Sequence, residues 1–122
     1  MAPACRVIAL PDEPGGTAVY SDGILRACVL VFPCEVRLGS TLIGPLHAPA
    51  LRWVWRTAAR EPRLVQRGAG FGHLAIGEVV ELEPLRVRVG SFLVELPPLG
   101  GACIARGDWL EVETARLELP IP

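Results

Sequence analysis

Gly72-His73-Leu74-Ala75-Ile76-Gly77-Glu78-Val79-Val80-Glu81-Leu82-Glu83-Pro84-Leu85-Arg86-Val87-Arg88-Val89, followed after two residues by Phe92-Leu93-Val94-Glu95-Leu96, decides the fold. Apolar residues recur with period two between Gly and Pro stops, and charge fills many of the positions between them. That pattern is how half-buried strands read, and it predicts a barrel or sandwich core. No residue in the stretch spells out a reaction.

Working outward, every other apolar run is also short, rich in β-branched or aromatic residues, and bounded by Gly or Pro. The expectation is an all-β fold, a single small barrel or sandwich with little or no helix. At 122 residues the chain reads as one domain, able to bury a core of its own. Toward the N-terminus, residues 5–10 and 17–20 read as short strands separated by Pro11-Asp12-Glu13-Pro14-Gly15-Gly16, and Ser21-Asp22-Gly23 as a turn. Residues 24–32 are nearly all apolar, and Pro33 predicts an edge or a bulge, because it removes a ladder donor. Residues 42–50, with Gly44, Pro45 and Pro49, read as a connection. In Leu51-Arg52-Trp53-Val54-Trp55-Arg56-Thr57 the Leu and Trp residues share one face and the Arg residues the other. The simplest assignment is a core Trp face and a solvated Arg face. Residues 57–60 offer one turn of helix, ended by Pro62. Near Thr114 the apolar frame changes, which predicts a bulge or a strand passing between two sheets.

All twelve basic residues are Arg. Schiff-base and P-loop lysine chemistry are thereby excluded. A net charge of −1 gives no long-range attraction to polyanions, so any nucleic-acid contact has to be local. The four cysteines, Cys5, Cys28, Cys34 and Cys103, form no Cys-x-x-Cys pair. Their spacing suits neither a zinc knuckle nor a redox site, and buried reduced thiols are expected. The N-terminus lacks a basic region followed by an apolar one, and no run approaches the roughly 20 apolar residues of a membrane span. The expected compartment is intracellular and reducing.

Chemical motifs are few. Gly68-Ala69-Gly70-Phe71-Gly72 lacks the Gly-Lys-Ser/Thr end of a P-loop and reads as a hairpin loop. Arg106-Gly107-Asp108 is ordinary turn chemistry. His47 and His73 have no local partner for acid-base or metal work, and Glu78, Glu81 and Glu83 fall mostly on a solvated strand face. No catalytic residue, metal ligand or cofactor site is expected. The densest cluster is Arg52, Arg56, Arg60, Arg63 and Arg67, opposed only by Glu61 and interleaved with Trp53, Trp55 and Phe71. Guanidinium groups beside aromatic platforms are what single-stranded nucleic acid binding uses. An OB-like binder is therefore an alternative.

Leu30-Val31-Phe32-Pro33-Cys34-Glu35-Val36 resembles the first long strand of the third, non-catalytic subunit of eukaryotic type 2 ribonuclease H. The resemblance continues through Ile43-Gly44 to Ala48-Pro49-Ala50, and through Gly77-Glu78-Val79-Val80-Glu81-Leu82-Glu83-Pro84. The later stretch is also similar to the small barrel subunit of the cohesion-linked alternative clamp loader. Both families form a triple barrel from two different chains. The resemblance implies a non-catalytic heterodimerisation subunit in a DNA replication or repair complex, located in the nucleus.

Apolar residues on both sides of residues 92–96 and 109–119 extend that expectation. They predict an interface with a different β-rich subunit, made by Phe92, Val94, Leu96, Trp109, Leu110, Leu117 and Leu119, without which the chain is not stable.

Overall fold

The computed structural model describes residues 4–10, 16–32, 36–68, 70–100 and 103–120. Alternation becomes eleven strands: β1 (Arg6–Ala9), β2 (Thr17–Ser21), β3 (Arg26–Phe32), β4 (Leu46–His47), β5 (Leu51–Arg56), β6 (Arg63–Arg67), β7 (Gly72–Leu82), β8 (Leu85–Val89), β9 (Phe92–Glu95), β10 (Trp109–Thr114) and β11 (Leu117–Pro120). The protein is all-β. Among the described residues no helix is long and apolar enough to cross a membrane. The Pro33 bulge, the Cys34 thiol, the loop at 11–15 and the middle of the 30–36 motif lie outside the described residues.

All eleven strands belong to one sheet, in the order β1-β2-β3-β11-β4-β9-β8-β7-β10-β5, with β6 also paired to β7. Among the described residues the sheet does not close on itself through backbone pairing. β3 with β11 and β4 with β9 are parallel, and the other pairs are antiparallel. β7 is long enough to serve two neighbours along one side: its first half pairs with β6 and its second with β8. Gly77 sits at the changeover. A Cβ there would come within 2.5 Å of the Arg88 carbonyl oxygen, so only glycine lets β8 approach so closely.

The inward side chains fill a single interior. Tyr20, Val29, Val31, Leu46, Val79, Val87, Val89, Phe92, Leu110 and Leu117 are almost completely buried. Each large apolar side chain so buried contributes about 1.5–3 kcal/mol. On the outside, charges alternate across strands in register. Glu81 meets Arg86 at 3.4 Å, Arg86 meets Glu95 at 3.0 Å, and His47 meets Glu95 at 3.7 Å. Glu118 follows beside His47 and pairs with Arg116. His47 thus has partners that only strand pairing supplies.

Two expectations change, and a third is met in one of its two forms. Residues 57–60 contain no helical turn. The Thr57 N–H donates to the Trp109 carbonyl, and the Thr57 hydroxyl accepts from the Ala59 N–H, so the backbone is already engaged in a sheet end and a local turn. Residues 42–50 are not pure connection, since β4 lies within them. The bulge expected near Thr114 is present as a register shift between Glu113 and Thr114, and beyond it the chain passes to new neighbours within the same sheet, since β10 lies between β7 and β5 and β11 between β3 and β4.

Candidate functional site

The residues expected to meet a partner are spent on the chain's own core. Phe92, Val94, Leu96, Leu110, Leu117 and Leu119 are all at most 7% exposed, and Trp109 is half-buried. One rolled sheet offers one interior, and these side chains fill it. These side chains therefore do not form the two-sided apolar surface expected at residues 92–96 and 109–119.

The Trp face is also reversed. Val54 and Leu51 pack against the core, whereas Trp55 is 54% exposed. The cross-strand register explains why. Trp55 lies opposite Glu111 and Trp53 opposite Glu113, while Val54 lies opposite the buried Val112. Residues directly opposite share a face, so the tryptophans stand outside with the glutamates. Their rings stack on each other with centroids 4.5 Å apart, and the Trp55 indole N–H donates to Glu111 Oε2 at 3.0 Å.

The same register locates the arginines. Arg63 lies opposite Ile76, which is opposite Glu111; Val65 lies opposite Leu74, which is opposite Glu113. Arg63 and Arg67 therefore share the tryptophans' face, three strand spacings or about 14 Å away. Leu74 and Ile76 form the floor between them, and Glu111 and Glu113 stand in between. Arg67 is already paired with Glu113 at 3.3 Å. Arg56, opposite the buried Leu110, occupies the other face of β5, Arg52 is the extra residue at the register shift, and Arg60 lies in the following connection. The five guanidinium groups do not form one track.

What the structure does bring together is the free edge of β5. Thr57 is hydrogen-bonded to Trp109, and antiparallel bonding alternates, so Trp55 and Trp53 face β10 while the backbone groups of Val54 and Arg56 face away. No backbone hydrogen bond among the described residues engages Val54 or Arg56 on that side. Beside the edge runs a groove of about 460 Å³, lined by Leu51, Arg52, Val54, Arg56, Leu99, Cys103, Ile104 and Leu110 among others. It adjoins a second recess of about 480 Å³ that shares Leu99 and Ile104. Arg56 crosses one end, holding Asp108 at 3.5 Å and donating to the Cys103 carbonyl. The lone apolar residue on the arginine side of residues 51–57, Val54, was the only signal of this groove in the sequence.

The thiols differ. Cys5 is buried and donates to the Ser91 carbonyl at 3.5 Å, and burial, then the nearby Asp22 charge, push its pKa up to about 11. Cys28 is half-buried, and burial raises its pKa too. Cys103 is exposed at the groove. Among the described residues no group of three His, Cys, Asp or Glu side chains could hold a metal ion.

No family model, curated protein or solved structure matches this chain.

Proposed function

We propose that this chain is a non-catalytic assembly subunit, which joins a second, β-rich protein through the open edge of its sheet. The observation that carries this reading is the β5 edge, unpaired among the described residues, beside an apolar groove. An edge strand presents a row of N–H and C=O groups that another chain can complete, and pockets beside it select the side chains. The interface is thereby assigned to β5 rather than to β9–β11. The motif resemblance at 30–36 and 77–84 favours a DNA replication or repair complex, and a nuclear location, as the setting. A single-stranded nucleic acid as ligand has less support, because the arginines divide between two faces and Glu111 and Glu113 interrupt the aromatic one.

Replacing Val54 by Pro tests the reading. It removes the outward N–H and leaves the bonds to β10 in place, a position where edge strands tolerate proline. The tagged full chain, purified from its native source, is expected to bring down one β-rich protein in stoichiometric amount, and Val54→Pro to lose it. Retention of the same protein by the variant, or no stoichiometric companion for the wild type, would overturn the proposal.

A further inference from the structure

We infer that the segment received at this edge is an extended strand of the partner with the order acidic, aliphatic, small apolar, aliphatic, acidic. This rests on the docking reading above and adds the chemistry of the occupant. A strand laid against β5 alternates its side chains in step with Trp53 to Arg56, so each residue shares a face with the one opposite it, and Arg52, the extra residue at the β5 register shift, presents its charge at the end of that run. Opposite Val54, a side chain enters the groove beside Leu51, Leu99 and Ile104, where a small apolar group fits. Opposite Trp53 and Trp55, aliphatic side chains cover the outward indoles. Opposite Arg52 and Arg56, carboxylates complete the pairing. Arg52 makes no ion pair among the described residues, and Arg56 has only Asp108.

The same arrangement rejects the nearest competitor, a second copy of this chain. Antiparallel self-pairing centred on Val54 brings Arg56 of each copy to the Arg52 end of the other, and like charges on neighbouring strands are destabilising. A partner with acids at those two positions replaces repulsion by attraction, which is how specificity at an edge is built.

The probes are labelled, end-blocked peptides Ser-Gly-Glu-Val-Ala-Val-Glu-Gly-Ser and its forms with both Glu replaced by Gln or by Lys. Binding to the full chain is followed by fluorescence anisotropy. The Gln form is expected to bind about five- to tenfold more weakly than the Glu form, as two partly exposed ion pairs imply, and the Lys form weaker still. Arg52→Glu/Arg56→Glu should reverse the order, so that the Lys peptide binds best. That variant leaves the core intact, so it decides the matter even if Val54→Pro fails to fold by circular dichroism. Equal binding of all three peptides, abolished by Val54→Pro, would overturn the charge pattern while leaving edge docking standing. Absence of peptide binding in every form would overturn both. Binding of an oligothymidylate weakened by the double variant, with no peptide bound, would overturn both in favour of nucleic acid.

Discussion

The sheet has two ends, and the chain treats them differently. At β1 the outer side is covered from within. Val7 N–H donates to the Ser40 carbonyl at 2.9 Å, Gly39 N–H to Val7 at 2.8 Å, and Leu42 N–H to Cys5 at 2.8 Å. Thr41 adds a bridge to Arg6. At β5 no described segment does the same for Val54 and Arg56. That end instead carries Arg52 and Arg56 and a register shift between Glu113 and Thr114. Charge and bulges are the usual protection of a bare edge against indiscriminate pairing. A covered edge is finished, whereas a guarded edge beside a groove is selective.

Paired prolines probe this difference most sharply. Val7→Pro removes a donor that the fold uses and disturbs a side chain only 2% exposed, and should cost about 3 kcal/mol. Val54→Pro removes a donor that no described residue engages, at a side chain only partly buried against the core, and should cost about 1 kcal/mol. Urea midpoints of the two variants are the measurement. Similar losses would mean that the β5 edge is covered within the chain after all.

Asp22 gives the next largest effect, at the covered end. Its Oδ1 accepts from the N–H groups of Ile24 at 2.9 Å and Leu25 at 2.7 Å, and its Oδ2 from that of Ser91 at 3.2 Å. One carboxylate thus ties the β2–β3 turn to the β8–β9 turn. Burial works against its charge, but the Leu25, Ile24 and Ser91 N–H groups outweigh that and hold its pKa below the ordinary carboxylate value. Asp22→Ala should cost about 2 kcal/mol, since the three donors lose a charged acceptor together. Peptide binding at β5 should remain unchanged in the folded fraction. A loss of binding as well would show that the two ends are coupled.

β7 and β8 were legible because period-two alternation survives wherever one face is buried and the other wet. β6 was not, because Arg63-Leu64-Val65-Gln66-Arg67 sends only Leu64 into the core. β4, two residues between prolines, is too short to show a period. The register shift puts Leu51 on the core side against the alternation, which told which of residues 53–56 share a face but not which face lies inside. Glu111 and Glu113 on the neighbouring strand decide that, and strand neighbours are not visible in a local pattern. For the same reason, apolar residues at 92–96 and 109–119 could not reveal whether their own core or a partner's would cover them. The groove escaped notice because Leu99 and Ile104 stand in a Gly-rich turn region, where apolar residues have no periodicity to betray them.

His73 supplies the smallest effect and confines it to one place. β3 approaches β6 without pairing to it. There the Cys28 N–H donates to His73 Nε2 at 3.1 Å, while His73 Nδ1–H donates to the Phe71 carbonyl at 2.8 Å. The ring is completely buried. Burial lowers its pKa below the ordinary histidine value, and the Phe71 bond only partly opposes this. The folded state therefore requires the neutral ring, and the unfolded state takes up the proton first. Stability from this site is fully present above the ordinary value of about 6.5 and is lost as pH falls from there through the lowered folded value. The slope contributed by one proton is at most about 1.4 kcal/mol per pH unit. Urea midpoints between pH 8 and pH 5 should fall more steeply for the wild type than for His73→Gln, whose amide oxygen can still accept from Cys28. Hydrogen exchange should quicken at Cys28 as the pH falls, after correction for intrinsic rates, while exchange at Val54 and Arg56 follows intrinsic rates throughout. Parallel pH profiles for the two proteins would remove His73 as the acid-sensitive tie, and acid-induced change at β5 instead would place the weak point at the open edge.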